Sequence, residues 1–150
     1  MTALTFRKRE RMVSQRLIDD LFVGGNSRSP ISDQTDASHS IAAFPLRVVY
    51  KLRARDRHEA PLQMLVSVPK KHFHHAVDRN RVKRQVREAW RLHKQQLVET
   101  IATDKQLLIA FIWQSDSMLS TQKVETRVAN LVKRLQENIF QLTEFLEMNL

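Results

Sequence analysis

Cationic side chains are concentrated in one short part of the sequence, residues 79–94. These sixteen positions hold seven basic residues and one acid, Glu88, so their net charge is +6, against +9 for the whole chain of 150 residues. A guanidinium group binds phosphate through two parallel hydrogen bonds, and each phosphate that it neutralises releases counterions. The residue types and their spacing therefore indicate a surface that binds a polyanion. The basic residues are Arg79, Arg81, Lys83, Arg84, Arg87, Arg91 and Lys94.

One helix is expected to position these cations, because residues 79–97 contain no glycine or proline and consist mainly of good helix formers. At about 100° per residue the apolar side chains fall on one stripe, and most of the cations fall on a second stripe beside it. The helix is therefore predicted to pack on a core through the first stripe and to expose the second. The apolar stripe contains Val82, Val86, Ala89, Trp90, His93 and Leu97, and the cationic stripe contains Lys83, Arg84, Arg87, Arg91 and Lys94.

The cationic stripe is poorly explained by folding alone. Like charges four residues apart, such as Lys83 and Arg87, cost roughly 0.2 to 0.5 kcal/mol per pair, so an external anion should compensate them. Free backbone N–H groups at the start of the helix also favour anions, and Asn80 lies there either as a helix cap or as a hydrogen-bond donor to a nucleotide. A solvated charged face without a ligand is the simpler alternative.

Composition excludes several other classes of site. The chain has no cysteine, which rules out a disulfide, a thiolate nucleophile and a thiolate metal site. Its two glycines, Gly24 and Gly25, are too few for a glycine-rich phosphate loop. The longest apolar run, 107–113, is far shorter than the roughly 20 residues that a membrane span needs. We therefore expect a single cytoplasmic domain, residues 1–150, with no membrane partner.

The remaining elements follow from the periodicity of apolar residues. The sequence predicts a first helix at 13–22, strands at 44–50, 62–68 and 107–113, and a long last helix from Ser117 or Ser120 onward. The first helix is expected to end at Gly24 and Gly25. The strand at 107–113 is apolar throughout, which indicates a central, buried position.

Two segments are predicted to add to this framework. Residues 24–43 are rich in small and polar residues, and their apolar residues do not recur at the spacing of a helix or a strand. They are therefore predicted to be a flexible insertion with a short edge strand near 29–31. Residues 137–150 contain acids but no lysine or arginine, and they are predicted to be an acidic helical extension at the C-terminus.

His72, His74 and His75 could be metal ligands or part of a solvated turn that touches phosphate. Adjacent histidines without a matched second pair of ligands favour the turn. The sequence also lacks the spacings typical of a nucleophile elbow, a phosphate-binding loop or a zinc protease. Neither a catalytic constellation nor a metal site is therefore predicted in this chain.

The segment AVDRNRVKRQVREAWR, residues 76–91, resembles the signature of the bacterial ribonuclease P protein component. The similarity extends to VSVPKK, residues 66–71, and to RMVSQRLIDDLFVGG, residues 11–25. It implies an α+β fold, a two-layer α/β sandwich in which a small mixed sheet of about four strands is covered by helices. The implied order is α-β-β-β-α-β-α, with a left-handed crossover.

The resemblance also implies a function. Proteins of this family are RNA-binding subunits of the ribonuclease P holoenzyme, an endoribonuclease in which a catalytic RNA removes the 5′ leader from precursor tRNA. The expected partners are that RNA and precursor tRNA, Mg²⁺ is expected with the RNA, and the protein is expected to be monomeric without RNA. The positions that match the family's RNA-facing region are Lys70, Lys71, Arg79, Asn80, Arg81, Lys83, Arg84, Arg87 and Arg91.

A cleft for the single-stranded leader, between the first helix and the sheet, is a second feature that the resemblance implies. Matched residue by residue, its lining falls on Ile18, Phe22, Phe44, Val48 and Tyr50. Bases could stack on Phe22 and Tyr50, although a core role for both rings is an equal alternative.

Two other functions stay open for the chain as a whole. One is a generic RNA-binding or ribosome-associated protein without a processing role, and the other is a module that binds an acidic protein.

Overall fold

The structure is a computed structural model that describes residues 6–23, 38–56 and 58–148. A short 3-10 turn, Lys8–Glu10, precedes four helices and four strands in this part of the chain. In chain order these are α1 Gln15–Val23, β1 His39–Ala43, β2 Leu46–Ala54, β3 Leu62–Ser67, α2 Ala76–His93, α3 Gln95–Thr100, β4 Lys105–Trp113 and α4 Thr121–Met148.

The four strands form one mixed sheet in the order β1-β2-β4-β3. β1 and β2 are antiparallel, as are β2 and β4, whereas β3 lies parallel to β4. A parallel pair needs a crossover connection, which α2 and α3 supply. The predicted α+β fold with a mixed four-stranded sheet is confirmed, and the left-handed sense of the crossover stays a prediction.

The main core lies between one face of the sheet and helices α2, α3 and α4. Val86 and Trp90 of α2 and Leu131 of α4 are almost completely buried there. The ring of Trp90 meets that of Phe111 on β4 edge to face, with 5.7 Å between centroids, an arrangement that aromatic quadrupoles favour. The cationic helix is thus fixed to the sheet through its apolar side.

Helix α1 covers part of the opposite face of the sheet. Its Leu21 packs with Val49, Leu108 and Ala110 in a second, smaller cluster. Side chains alternate between the faces of a strand, so β2 supplies Val49 to this cluster and its neighbours to the main core. None of the described helices has the length and apolarity that would let it cross a membrane.

Several elements differ from the sequence prediction in their bounds, and two of these differences change the number of elements. The helix predicted at 79–97 is divided at Lys94 into α2 and α3, although Leu97 remains buried. Strand β1 occupies the end of the segment 24–43 that was predicted to be an insertion. Residues 24–37, with the edge strand predicted near 29–31, lie outside the described residues.

The packing of the helices on the sheet generates a test of the main core. Phe111→Ala should lower the free energy of unfolding by about 3 to 5 kcal/mol, because it removes a fully buried ring and leaves a cavity. Phe140 on α4 is 57% exposed, so Phe140→Ala should change it by less than about 0.5 kcal/mol. Urea unfolding followed by circular dichroism measures both, and equal effects would contradict this core.

Candidate nucleic-acid interface

Helix α2 separates its buried and cationic sides much as the sequence predicts. Val82, Val86, Ala89 and Trp90 are at most 2% exposed. Three arginines and one asparagine of the predicted site are exposed on the same helix, and Lys83 and Arg91 are half-buried beside them. The exposed residues are Asn80, Arg81, Arg84 and Arg87.

A groove of about 450 Å³ runs between α2 and residues 6–12, a segment that we call the strap. The helix lines the groove with Asn80, Arg84, Arg87, Glu88 and Arg91, and the strap lines it with Phe6 and Arg11. Four predicted RNA-binding residues are therefore brought together on one wall of a single groove.

The groove carries an excess of positive charge. Although the Arg87 side chain is exposed, its partial desolvation in the groove and the nearby charge of Arg11 both lower the pKa of the guanidinium group below its ordinary value. Arg91 donates two hydrogen bonds to Glu88, at 2.6 and 3.0 Å, and these lower the pKa of that carboxyl group. Since the one acid in the lining is already paired with Arg91, the other guanidinium groups are available to an anionic ligand.

Phe6 and Arg11 were not among the predicted site residues. The guanidinium carbon of Arg11 lies 5.3 Å from the centroid of the Phe6 ring, a cation–π arrangement. The sequence signal that could have found this wall is a smaller cluster of basic residues around Glu10, formed by Arg7, Lys8, Arg9 and Arg11. Periodicity cannot reveal it, because the strap contacts α2 across a long separation in sequence.

Lys94 was predicted to lie on the cationic stripe, and that prediction is wrong. Its side chain is buried and forms an ion pair with Glu10 of the strap. Gln85 is likewise buried, and its amide donates to the Leu119 carbonyl and the Thr121 hydroxyl, both at 3.2 Å. A polar residue at the edge of an amphipathic stripe can thus be buried when a residue of another element supplies a hydrogen bond or an opposite charge.

Arg79, one of the positions that match the RNA-facing region, is half-buried. Its Nη1 atom donates to the carbonyl oxygens of Phe73, at 2.9 Å, and His74, at 2.8 Å. The guanidinium group therefore holds the turn that leads into α2. Lys70 and Lys71 are exposed in the preceding turn, at the same end of the helix.

The three neighbouring histidines lie in this turn. His72 Nδ1 is 2.7 Å from Oδ1 of Asp116, which follows β4, while His74 and His75 are exposed. Nowhere among the described residues do three histidine, aspartate or glutamate side chains form a group suited to a metal ion. His72 thus links two loops at the end of the sheet.

Val48 and Tyr50 do not line a cleft beside α1, and this part of the predicted site is corrected. Both are at most 4% exposed in the main core, on the opposite face of the sheet from α1. Asn138 of α4 donates to the Tyr50 hydroxyl at 3.2 Å, and burial raises the pKa of that phenol. The strand alternation was correct, but the face of β2 that meets α1 was misassigned.

Phe44 and Ile18, which were also predicted to line the cleft, lie in two different parts of the structure. Phe44 is 69% exposed in the turn between β1 and β2, and its carbonyl accepts a hydrogen bond from Arg127 of α4. Ile18 packs half-buried against the small cluster under α1. Ile18 thus lies on the opposite face of the sheet from Val48 and Tyr50, and the Phe44 ring lies on the surface.

A second groove does lie between α1 and the sheet, with a volume of about 430 Å³. Phe22 of α1, 39% exposed, lines it opposite β2 and β4. The other lining residues are Ser38, His39, Ser40, Arg47, Val49 and Ile112. Phe22 is the member of the predicted set that lines this groove, and Arg47 adds a cation that the sequence prediction missed.

Comparison with known proteins gives a consistent result. A family model described as Ribonuclease P matches residues 27–136. A protein named Ribonuclease P protein component from Porphyromonas gingivalis is 40% identical over 114 residues, 75% of this chain and 82% of the relative. Another of that name from Chlorobaculum tepidum is 35% identical over 85 residues, 52% and 55% of the two chains.

The fold is also similar to a solved structure. The Staphylococcus aureus RNase P protein matches with a TM-score of 0.57 and 19% identity, covering 84% of this chain and 94% of that one. At this identity the similarity concerns the arrangement of helices and strands.

The hydrogen bonds of Arg79 predict that this residue contributes to stability, unlike the exposed Arg84 on the same helix. Arg79→Ala should lower the free energy of unfolding by about 1 to 3 kcal/mol, because it removes charge-assisted hydrogen bonds to two carbonyl groups. Arg84→Ala, at an exposed position on the same helix, should change it by less than about 0.5 kcal/mol. Thermal and urea unfolding measure both, and an unaltered stability of Arg79→Ala would contradict its role in the turn.

Proposed function

Because the chain belongs to the ribonuclease P protein family, we propose that the cationic side of α2 binds the catalytic RNA of that ribonucleoprotein. The protein is a subunit of an endoribonuclease that processes tRNA, and its partner in the holoenzyme is an RNA subunit. The observation that carries the proposal is the groove in which Asn80, Arg84, Arg87 and Arg91 converge.

The chemistry of these side chains suits an RNA backbone. Arginine presents a planar fork of N–H donors that matches two phosphate oxygens, and it stays charged at any physiological pH. Binding replaces repulsion among neighbouring cations with attraction to phosphates and releases counterions from the RNA. The RNA-binding surface that we propose comprises Lys70, Lys71, Arg79, Asn80, Arg81, Lys83, Arg84, Arg87 and Arg91, with Arg79 acting partly through the turn that it holds.

We assign the hydrolytic step to the RNA. Metal ions can activate water and polarise a phosphoryl oxygen, which is the role that we propose for Mg²⁺ held by the RNA. Within the described residues the protein offers no clustered set of carboxylate and imidazole ligands. Its own part is to bind and orient the two RNA molecules.

Salt dependence tests the RNA-binding surface. For the wild-type protein, log affinity for the catalytic RNA should fall with log salt at a slope of roughly −4 to −6, from about six phosphate contacts. Arg81→Ala and Arg84→Ala should each weaken binding and make the salt slope shallower by roughly one, because each removes one phosphate contact. Each variant should also give less stimulation of leader removal by the RNA at low magnesium.

Lys133→Ala is a matched control for this test, because Lys133 is an exposed cation on α4 that does not line the groove. It should leave the slope and the affinity within about twofold of the wild type. A flat salt response of the wild-type protein would contradict phosphate binding by α2.

We assign the single-stranded leader of precursor tRNA to the groove between α1 and the sheet. Phe22 exposes an aromatic ring on which a base can stack, and Arg47 supplies a cation for the backbone beside it. Val49 and Ile112 form an apolar floor. Stacking tolerates any base, so such a groove can accept leaders of different sequence.

A pair of exposed phenylalanines tests the leader groove. Phe22→Ala should reduce the preference of the holoenzyme for precursor over mature tRNA by roughly 5- to 150-fold, because base stacking contributes about 1 to 3 kcal/mol. Phe44→Ala, at an even more exposed ring outside the groove, should leave that preference unchanged. Binding of both tRNA forms is measured by titration, and an equal loss for both forms with Phe22→Ala would argue against a leader site.

A further inference from the structure

The strap runs along the outer edge of β3. The Met12 N–H donates to the Met64 carbonyl at 3.0 Å, and the Gln63 side chain donates to the Arg9 carbonyl at 3.1 Å. Arg11 pairs with Met64 as a short parallel bridge. Backbone bonds to an edge strand fix the register of a short segment, so Arg11 has a defined place beside the sheet.

A second set of contacts fixes the strap to the junction of α2 and α3. Lys94 is 5% exposed and pairs with the carboxylate of Glu10, which also accepts a hydrogen bond from the Arg7 N–H at 2.7 Å. The Lys94 ammonium lies 5.9 Å from the Phe6 ring, whose other cationic neighbour is Arg11. Lys94 is the buried partner of this ion pair and Glu10 is half-buried, so loss of either charge disturbs the contact that holds the strap against the helix.

These anchors bring Arg11 towards Arg87 in one groove, although like charges repel. Both side chains line the groove, and partial desolvation there, followed by the charge of Arg11, lowers the pKa of the Arg87 guanidinium group. No acid of the lining compensates them, because Glu88 is bonded to Arg91. Two guanidinium groups in one groove with no paired acid between them provide a place for an anion.

We infer that the strap is an RNA-binding element: Arg11 and Arg87 bind one backbone phosphate of the catalytic RNA in this groove, and Lys94 acts as a positioning residue through Glu10. The inference rests on the proposed function of α2 and adds a second element to it. Asn80 and Arg84, which line the same groove, supply donors for neighbouring oxygens of the backbone. Lys94 is too deeply buried to contact the RNA itself.

The test measures affinity for the catalytic RNA as a function of salt for three variants. Arg11→Ala should weaken binding about tenfold, as the loss of one charge-assisted contact does, and should reduce the salt slope by roughly one. Lys94→Met should give most of the same loss. The double variant should bind within about twofold of Lys94→Met, because residues that act as a unit are not additive.

Two controls make the outcome specific. Lys8 is an exposed cation of the strap that does not line the groove, so Lys8→Ala should change affinity less than twofold. Arg11 is exposed, so circular dichroism of Arg11→Ala should match the wild type and keep the test valid even if Lys94→Met folds poorly.

The opposing outcomes differ for the two proposals. Wild-type affinity of Arg11→Ala, with weakened binding of Arg81→Ala, would overturn the phosphate pocket and leave the proposed function of α2 intact. Wild-type affinity of both variants would overturn both proposals. Additive losses from Arg11→Ala and Lys94→Met would overturn the positioning role of Lys94.

Discussion

Helix α2 must bury its apolar side while its cations stay hydrated, and the rest of the structure is arranged around that requirement. Trp90 packs on Phe111 of the central strand, so the helix cannot rotate without opening the core. The cations consequently project in a fixed direction. A rigid element holds charged groups more accurately than a loop would, and an RNA surface can therefore be bound with little ordering of the protein.

Several features of this arrangement could be predicted from the sequence, because they depend on local patterns. The amphipathic division of α2 follows from the spacing of Val82, Val86 and Trp90, and the central place of β4 follows from its unbroken apolar run. Both patterns repeat within a few residues. Their physical cause is the period of the helix or strand itself.

Other features depend on contacts between distant parts of the chain, and no local pattern encodes them. The alternation in β2 is clear, yet five consecutive residues of the strand are buried, so polarity does not say which face meets α1. Tyr50 and Val48 were misassigned for that reason. Lys94 is similar, since its burial depends on Glu10, which lies 84 positions earlier.

The contacts of the strap have a consequence for the solubility of the protein. β1 and β3 are the outer strands of the sheet, and an uncovered outer strand is a template on which another chain can add its own strand. The strap occupies the outer side of β3, and Arg134 of α4 donates to the Ala42 carbonyl in β1. The border at β3 is thus covered by a segment rich in arginine, which discourages edge-to-edge aggregation when many copies gather along one polyanion.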